Sequence, residues 1–371
     1  MAIGCGGSDG SEPDAPTPDA PAATSCRTFG PMTRQPALKT SSGTAFHPTG
    51  IVADPHALYE DGRYRLWFTT VDWTTGSVFD ATDRRLGTGY VESTDGITWD
   101  DAALLPGDPA HKVDLVLAPG DWDTEGVETV SVARTSSTEL VLFHTGDRTD
   151  GSYAIGRARS SDGLQWTRDP APVLVPEATW EQPICVDDPA CTSFLGGVLE
   201  PAFVIDATGQ HVWYAALGVR GTELSMQIGH AFSADGIAWE RSPEPVFTPG
   251  NPGDWDEILV SHTNVVADPG GGYHLFYQGI SRAQQDQCAV EGECPFYTPG
   301  SIGHAFSDDG ITWTRDPAPL LVPEGEDGFF VGGPAAIIRD GRVELFYFGI
   351  ASKADQTELR AHLAIATASC I

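Results

Sequence analysis

Four side chains with acid–base chemistry stand at equivalent places in short segments that each begin an apolar stretch of the chain. Aligning five such segments on the residue before a proline-like position selects Asp54, Glu128, Glu200, His262 and Gly333. Carboxylates that crowd one site cannot all ionise freely, so the pKa of one rises and an acid/base pair results. Cleavage of a glycosidic bond is one reaction that needs two carboxylates in those roles. The alignment matters only if the fold gathers these segments.

A repeated motif, Ser-x-Asp-Gly-x-x-Trp, indicates what fold could do so. It reads STDGITW at 93–99, SSDGLQW at 160–166, SADGIAW at 233–239 and SDDGITW at 307–313. An alternating strand, an Asp-Gly turn and a second strand that holds Trp predict a β-hairpin. Successive copies are about seventy residues apart, which is the length of a four-stranded unit with long loops.

Aromatic strands precede the hairpins and give the number of units. Four are followed by the motif, and a fifth precedes the end of the chain: RLWFTT at 65–70, LVLFHTG at 140–146, HVWYAALG at 211–218, YHLFYQG at 273–279 and VELFYFG at 343–349. No stretch of ten or more residues shows helical periodicity. We therefore predict an all-β chain: a five-bladed β-propeller with four-stranded antiparallel blades over 31–371, after a disordered tether over 1–30 rich in Pro, Ala and Asp.

Composition restricts the partners. The chain of 371 residues has 52 acidic and 21 basic residues and a net charge of −31. This balance argues against nucleic acid as a partner, and its simplest interpretation is surface solubility. We expect a monomer without a cofactor. A channel cation such as calcium is compatible with an acidic mouth, but no set of residues has the spacing of metal ligands.

Six of the seven cysteines fall into three pairs. Cys185 and Cys191 enclose a short loop, as do Cys288 and Cys294, and Cys26 and Cys370 stand at the two ends of the predicted propeller. We predict a disulfide in each pair and an oxidising compartment. A four-cysteine zinc site is disfavoured, because five residues separate the close pairs rather than two to four.

The seventh cysteine, Cys5, follows Ala2-Ile3-Gly4 and precedes the polar tether. This start resembles that of a bacterial lipoprotein, which implies lipidation of Cys5 and a secreted or cell-surface location, at the outer membrane or in the periplasm. The membrane would then be contacted only through the lipid. The basic and apolar regions of a signal peptide do not precede Cys5, so the resemblance implies a start further upstream. The alternative is an unmodified Cys in a disordered tail.

The segment VADPHALYEDGRYRLWFT around Asp54-Pro55, the aromatic strands and the hairpin motif resemble the five-bladed propeller superfamily that contains the family-43 glycoside hydrolases, invertases and levansucrases. The resemblance covers the chain from about His47 onward and implies that Asp54 is a general base. It departs from family 43 at two places, where Glu200 replaces an Asp and His262 replaces the general acid Glu. The Asn-Asp-Pro signature of the invertases is absent.

The resemblance implies a glycoside hydrolase that acts on a carbohydrate substrate. Asp54 would activate water, Glu200 would protonate the leaving oxygen, and Glu128 is the alternative acid. The family-43 likeness implies inversion, with carboxylates roughly 6.5–9.5 Å apart. We predict that His262 orients a carboxylate, binds hydroxyl groups or holds a metal, and that Trp73 and Trp180 offer stacking faces to a sugar.

Each assignment has an alternative. Asp54 could cap a turn, Glu200 could accept backbone hydrogen bonds, and His262 could be a buried core histidine. Trp122 and Trp255, in the repeated GDWD segments, are interpreted as structural. At the level of function, the alternatives are a non-catalytic glycan-binding lipoprotein of the same fold and a six-bladed sialidase-type propeller. The sialidase-type alternative is disfavoured, because this sequence shows five units rather than six and the sialidase box has an extra residue between Asp and Gly.

Overall fold

The computed structural model describes residues 26–36, 38–40, 52–71, 86–99, 116–187, 189–220, 223–290, 299–352 and 361–371. Within these residues the chain is nearly all β, which confirms the all-β part of the predicted fold. A nine-residue α-helix, Arg282–Val290, and two single 3-10 turns, Thr179–Glu181 and Gly325–Asp327, are the helical elements found there. No helix in the described ranges is long and apolar enough to span a membrane.

The strands form five antiparallel groups in chain order. After β1 (Thr33–Arg34) and β2 (Lys39–Thr40), the first group contains β3 (Ala53–Glu60), β4 (Arg63–Val71), β5 (Leu86–Ser93) and β6 (Thr98–Trp99). The second contains β7 (Gly126–Ser136), β8 (Glu139–Asp147), β9 (Ser152–Ser160) and β10 (Thr167–Arg168). The third contains β11 (Ile184–Cys185), β12 (Phe194–Ile205), β13 (Gln210–Arg220), β14 (Glu223–Ser233) and β15 (Glu240–Arg241). The last two contain β16 (Leu259–Ala267), β17 (Tyr273–Ile280), β18 (Ser301–Ser307) and β19 (Thr314–Arg315), then β20 (Phe330–Arg339), β21 (Arg342–Ile350) and β22 (His362–Ser369).

Hydrogen bonds join these groups into three sheets that do not close. Short parallel pairs, β5 with β7 and β9 with β12, merge the first three groups into one sheet, while the fourth and fifth groups are separate. The long first strands of the groups contact one another in cyclic order: β3 with β7, β7 with β12, β12 with β16, β16 with β20 and β20 with β3. These five strands therefore surround one axis.

The Ser-x-Asp-Gly-x-x-Trp motif forms a turn that also connects neighbouring groups. In the copy at 160–166, the Ser160 hydroxyl accepts the backbone N–H of Gly163 (2.8 Å), and Asp162 accepts those of the next two residues (2.8 Å each). The carbonyl of Gly163 then accepts the indole N–H of Trp67, from the preceding group, at 3.1 Å. In the fourth group, Gly310 accepts Trp213 in the same way at 2.8 Å.

A buried carboxylate recurs in four groups, and each one binds an arginine. The pairs are Asp123 with Arg168, Glu181 with Arg241, Asp256 with Arg315, and Asp327 with Arg34. The first three arginines lie in the last strand of their own group. Arg34 lies in β1, at the other end of the chain, and β1 pairs with β22. The N-terminal segment therefore supplies the outer strand of the last group.

A disulfide reinforces this closure. Cys26 is bonded to Cys370 with their Cα atoms 5.2 Å apart, and Phe29 forms a β-bridge with Cys370. Phe29 is buried in the core that β20, β21 and β22 share with Phe276. Residues 26–30, which the sequence placed in the tether, are thus packed on the folded part.

Candidate active site

The five first strands each contain a bulge at the same level. The pairing register of each shifts there, and one residue per strand adopts a left-handed conformation. The φ angles are 47° for Asp54, 48° for Thr129, 53° for Glu200, 47° for His262 and 55° for Gly333. Four of these residues are not glycine, so the conformation costs backbone energy that the surrounding structure must offset. Strained bulges of this kind are common beside functional sites.

The ring includes Asp54, Glu200, His262 and Gly333 as aligned, but the second strand contributes Thr129 and not Glu128. Glu128 lies before the bulge and pairs directly with Thr145 of β8. Side chains alternate between the two faces of a strand, so a slip of one residue exchanges a pocket-facing side chain for its neighbour. The second segment has no proline near Glu128 to mark the register. The sequence therefore did not indicate that Thr129 is the ring residue.

The ring residues line a pocket on the axis. Its empty space is about 320 Å³ with open solvent included, of which about 30 Å³ is cavity volume that the centre of a water molecule can occupy. Its walls combine each ring residue with those just after it: Asp54, Pro55, His56, Thr129, Val130, Ser131, Glu200, Pro201, His262, Thr263, Asn264, Gly333 and Pro334. The hydroxyl of Thr263, a pocket residue, is buried without a hydrogen-bond partner. The described part of the wall contains neither Trp nor Tyr.

His262 lies between the two carboxylates. Its Nε2 is 3.2 Å from Asp54 Oδ1 and its Nδ1 is 3.6 Å from Glu200 Oε1. The Asp54 contact is within ion-pair distance, but its geometry falls short of a hydrogen bond. Only about 15% of the His262 side chain, 12% of Asp54 and 8% of Glu200 are exposed, so solvent screens these charges weakly.

This geometry shifts the ionisation of two members. Burial alone would lower the pKa of His262, but the carboxylates of Glu200 and Asp54 outweigh it and raise the pKa to about 9. Burial raises the pKa of the Glu200 carboxyl, and the charge of His262 opposes that rise. The centre is therefore a cationic imidazole between two acidic groups, one of which ionises less readily than usual.

Backbone hydrogen bonds hold the ring residues and give Glu200 a structural task. The N–H of Thr129 donates to the Thr69 hydroxyl (3.0 Å), and the N–H of Glu200 donates to the Thr145 hydroxyl (2.7 Å), each in the preceding group. For the N–H of His262, the equivalent acceptor position in the preceding group is Ala215, which has no polar side chain. The N–H of His262 donates to Glu200 Oε2 instead. The alternative that Glu200 accepts a backbone bond is thus correct, and its other oxygen remains beside the imidazole.

Trp180 is placed away from the pocket. Its ring stacks on Tyr214, with centroids 6.3 Å apart, and its indole N–H donates to the carbonyl of Pro243 at 3.2 Å. It precedes the buried Glu181 just as Trp122 and Trp255 precede Asp123 and Asp256. Trp180 thus lies outside the described pocket wall and packs on Tyr214, and a stacking role towards a sugar stays a prediction. Trp73 lies outside the described residues.

The cysteine pairs have different outcomes. Cys185 and Cys191 are not joined by a disulfide. The carboxylate of Asp187 closes that loop, since it accepts the backbone N–H of Thr192 and of Ser193 (2.9 Å each) and lies 3.8 Å from Cys185 Sγ. The side chain of Cys288, all of Cys294 and Cys5 lie outside the described residues, so those predictions remain predictions.

The residues that the structure describes contain no group of three or more His, Cys, Asp or Glu side chains that could hold a metal ion. The predicted channel cation stays a prediction, and no metal chemistry is assigned to the pocket.

Comparison with known proteins gives one related sequence and many related folds. No family model matches the chain. A β-1,2-mannobiose phosphorylase from Thermoanaerobacter sp. (strain X514) is 28% identical over 116 residues, which are 30% of this chain and 37% of that protein. The chain thus matches little more than a third of the length of this curated relative.

Several solved structures with a similar fold have titles that name glycoside hydrolases or a mannobiose phosphorylase. A glycoside hydrolase gives a TM-score of 0.64 at 18% identity over 90% of this chain and 92% of that one. A thermostable family-43 glycoside hydrolase gives a TM-score of 0.59 at 17% identity, over 87% of this chain and 92% of that one. The β-1,2-mannobiose phosphorylase from Listeria innocua, in complex with β-1,2-mannobiose, gives a TM-score of 0.62 at 12% identity, over 91% of this chain and 97% of that one. At these identities the likeness establishes a shared fold.

Proposed function

We propose that this chain is a glycoside hydrolase built on a five-bladed β-propeller. The five antiparallel groups are the blades, and the cyclic contacts of β3, β7, β12, β16 and β20 support a closed ring. The observation that carries the proposal is the convergence of Asp54, Glu200 and His262 from three separate groups on one axial pocket. The folds of the similar structures support the same class of reaction.

The two carboxylates divide the work of hydrolysis. Glu200 is the general acid, because burial favours its protonated form, and it donates that proton to the leaving glycosidic oxygen. Asp54 is the general base, which takes a proton from water as the water oxygen bonds to the anomeric carbon. Asp54 contacts one ring nitrogen of His262 and Glu200 the other, so the imidazole stands between the two carboxyl groups. A separation of roughly 6.5–9.5 Å is typical of inverting enzymes, and roughly 5–5.5 Å of retaining ones. We propose inversion, as the likeness to family 43 implies.

His262 is a positioning residue in this mechanism. As a cation it pairs with Asp54 and lies beside Glu200, and so keeps the two acidic groups at a fixed spacing. Its own backbone is fixed in turn by Glu200 Oε2. Asp54, Glu200 and His262 therefore act as one rigid unit. The substrate approaches the side of this unit that faces the pocket.

Phosphorolysis is a second candidate, which the match to the Thermoanaerobacter enzyme favours. In that reaction phosphate replaces water as the nucleophile. The described pocket wall contains no Arg or Lys, however, and two carboxylates would repel phosphate. The charge of the pocket therefore favours water.

A non-catalytic glycan-binding role is the third candidate. It gains support from the position of His262 between the carboxylates and from a described wall without Trp or Tyr. In this case the acidic pair would be an inert ion-pair network.

One assay separates the three candidates. The purified chain is incubated with aryl glycosides, arabinan, xylan, fructan, mannan and β-1,2-mannobiose, each with and without inorganic phosphate. Turnover that does not need phosphate supports hydrolysis, and release of a sugar phosphate identifies phosphorolysis instead. Thermal stabilisation by a glycan without any turnover would overturn the enzyme proposal in favour of binding.

We also propose a secreted or cell-surface location with a lipid on Cys5. The Cys26–Cys370 disulfide is what an oxidising compartment favours. The test is fractionation of cells that express the chain from its native gene, beside a Cys5→Ser variant. Loss of membrane association in the variant is the expected result, and equal distribution of both proteins would refute lipidation.

A further inference from the structure

The parallel pairing of the second and third groups brings a tyrosine beside the strand that carries Glu200. Tyr153 of β9 pairs there with Gly197 of β12, three residues before Glu200. Three residues of strand span roughly 10 Å. The ring stands near the beginning of the first strands, since Asp54 is the second residue of β3 and His262 the fourth of β16. Tyr153 therefore lies on the side of the ring from which the first strands begin, which is the nearer end of the axis.

Two glycines permit this close approach. Gly196 and Gly197 have φ angles of 108° and 120°, which side chains rarely allow. A Cβ atom on Gly197 would stand 2.5 Å from the carbonyl oxygen of Tyr153, so any other residue there would push β9 away. The glycine pair thus fixes Tyr153 next to the strand of Glu200.

Tyr153 belongs to an apolar ledge at this level. Its side chain, with those of Leu217 and Leu259, packs on a small buried cluster of the third group. All three side chains are only partly buried. Leu217 pairs with Gly197, and Leu259 stands three residues before His262, just as Gly197 precedes Glu200. The ledge of Tyr153, Leu217 and Leu259 therefore spans the second, third and fourth groups beside the ring.

The hydroxyl of Tyr153 differs from those of most other tyrosines in the described ranges. Six of these donate a hydrogen bond to a carboxylate: Tyr64, Tyr90, Tyr214, Tyr273, Tyr277 and Tyr347. Tyr153 forms no such bond with another residue that the structure describes. A tyrosine hydroxyl that is largely withdrawn from solvent normally has a partner, so this donor suits a ligand.

The charges around Tyr153 place it on the Glu200 side of the site. Burial raises the pKa of Tyr153, and the carboxylates of Glu128, Asp147 and Glu200 raise it further. The hydroxyl therefore keeps its proton and can donate it to an oxygen of a ligand. Because Glu200 is the proposed general acid, a sugar unit on its side of the site is the one that leaves with the glycosidic oxygen.

We propose that this ledge binds the sugar unit on the leaving side of the bond to be cleaved, and that Tyr153 is the residue that selects it. The C–H face of the sugar packs on the tyrosine ring, and the hydroxyl donates to one of the sugar oxygens. A neutral sugar suits the place, since the neighbouring carboxylates repel an anion. The inference rests on the proposed hydrolase function and narrows its substrate to a glycan whose leaving group is itself a neutral sugar.

The test compares a substrate that has a sugar as its leaving group with one that has none. The parent, Tyr153→Ala and Tyr153→Phe are assayed on the glycan that the parent cleaves and on the glycosyl fluoride of the same sugar. In the fluoride, water bonds to the anomeric carbon and fluoride leaves as an ion, so no sugar occupies the ledge. We expect Tyr153→Ala to lose at least about tenfold and Tyr153→Phe about fivefold in kcat/KM on the glycan. Both should match the parent on the fluoride.

Tyr59→Ala is the matched control. Tyr59 is 38% exposed and lies five residues after Asp54 in β3, on the far side of the ring from Tyr153. This variant should cleave both substrates at the parental rate. Melting temperatures show which variants are folded, and Tyr153→Phe keeps the apolar ring in place if Tyr153→Ala is unstable.

Two results would overturn the ledge and leave the hydrolase proposal intact. An equal loss on the glycan and on the fluoride would show that Tyr153 only supports the pocket. Parental rates of both variants on the glycan would show that no sugar depends on it.

A parent that cleaves nothing would refute the hydrolase, and calorimetry then tests the ledge by itself. The ligands are xylobiose, arabinobiose and β-1,2-mannobiose, with the parent and Tyr153→Ala. Binding of one of these sugars that is lost in Tyr153→Ala would keep the ledge as a sugar site. Equal binding by the two proteins, or no binding by the parent, would overturn it as well.

Discussion

His262 is the residue whose charge state controls the candidate site. A histidine in the unfolded chain has a pKa near 6.5, and the two carboxylates raise the value in the folded protein to about 9. The folded state therefore binds the proton more tightly, and this contribution to stability is complete below about pH 6.5. It is lost as the pH rises through about 9.

The first prediction follows from that linkage. Replacing His262 with Gln removes the titrating group, so the unfolding free energies of the parent and of His262→Gln should converge as the pH rises from 6.5 to 9. The difference at pH 6 should exceed that at pH 10 by up to about 3 kcal/mol. Urea denaturation across this range measures it, and parallel pH profiles of the two proteins would show that His262 is not held as a cation.

Glu200 allows a second prediction that separates its structural task from its chemical one. Glu200→Gln keeps an oxygen that can accept the His262 N–H, whereas Glu200→Ala leaves that buried donor unsatisfied. We expect Glu200→Ala to lose about 1–3 kcal/mol more stability than Glu200→Gln in urea. Equal stabilities would mean that the backbone bond contributes nothing.

The alignment of the sequence placed four of the five ring residues correctly, and for three of them a proline marks the register. Asp54, Glu200 and Gly333 are each followed by proline, and the shared pattern gave the correct register for them. Glu128 was misplaced by one residue because a bulge adds a residue that no letter of the sequence marks. The contacts of His262 with both carboxylates join three segments that are distant in the sequence. Only the three-dimensional structure shows them.

At the scale of single elements, the repeated turn accounts for most of what the sequence predicted. Its Ser and Asp side chains bind the backbone of the turn, and its glycine has a positive φ in every copy, as at Gly163 (86°). The same approach did not detect that Trp180 belongs to the buried-carboxylate repeat, since it lacks the Gly-Asp that marks Trp122 and Trp255. The fourth member, Asp327, has no Trp before it.

The third prediction tests the turn. Asp162→Ala removes the acceptor of two backbone N–H groups and should cost about 1–2 kcal/mol of unfolding free energy. Asp121→Ala is the control, because Asp121 is an exposed aspartate outside the turns. Thermal and urea unfolding measure both variants, and an equal effect in the two would argue that the motif is not what stabilises the hairpin.

At the scale of the whole molecule, contacts between the two ends of the described chain complete the last strand group. β1, Arg34 and the Cys26–Cys370 disulfide all attach the N-terminal segment to the last group. The sequence predicted the disulfide from the positions of the two cysteines. Thr-Arg-Asp-Pro occurs at 167–170 and again at 314–317, and Thr33-Arg34-Gln35-Pro36 repeats it with one changed residue. The sequence did not reveal this copy, because of that change and its distance along the chain.

A fourth prediction concerns this closure. The double variant Cys26→Ser/Cys370→Ser should unfold with a free energy lower by about 2–5 kcal/mol, since the disulfide restricts a loop of nearly the whole chain in the unfolded state. Guanidinium denaturation with and without reductant measures the effect. A parent protein that loses no stability on reduction would contradict closure by this bond.

The most direct test of the central proposal is the turnover rate of Asp54→Asn and Glu200→Gln on whichever glycan of the panel the parent cleaves. Glu244→Gln, an exposed carboxylate change outside the pocket, is the control. We predict that each site variant loses about 10²-fold to 10⁴-fold in kcat while its melting temperature shows that it is folded, and that the control retains full activity. Folded site variants that cleave at the parental rate would show that Asp54 and Glu200 are not the catalytic pair.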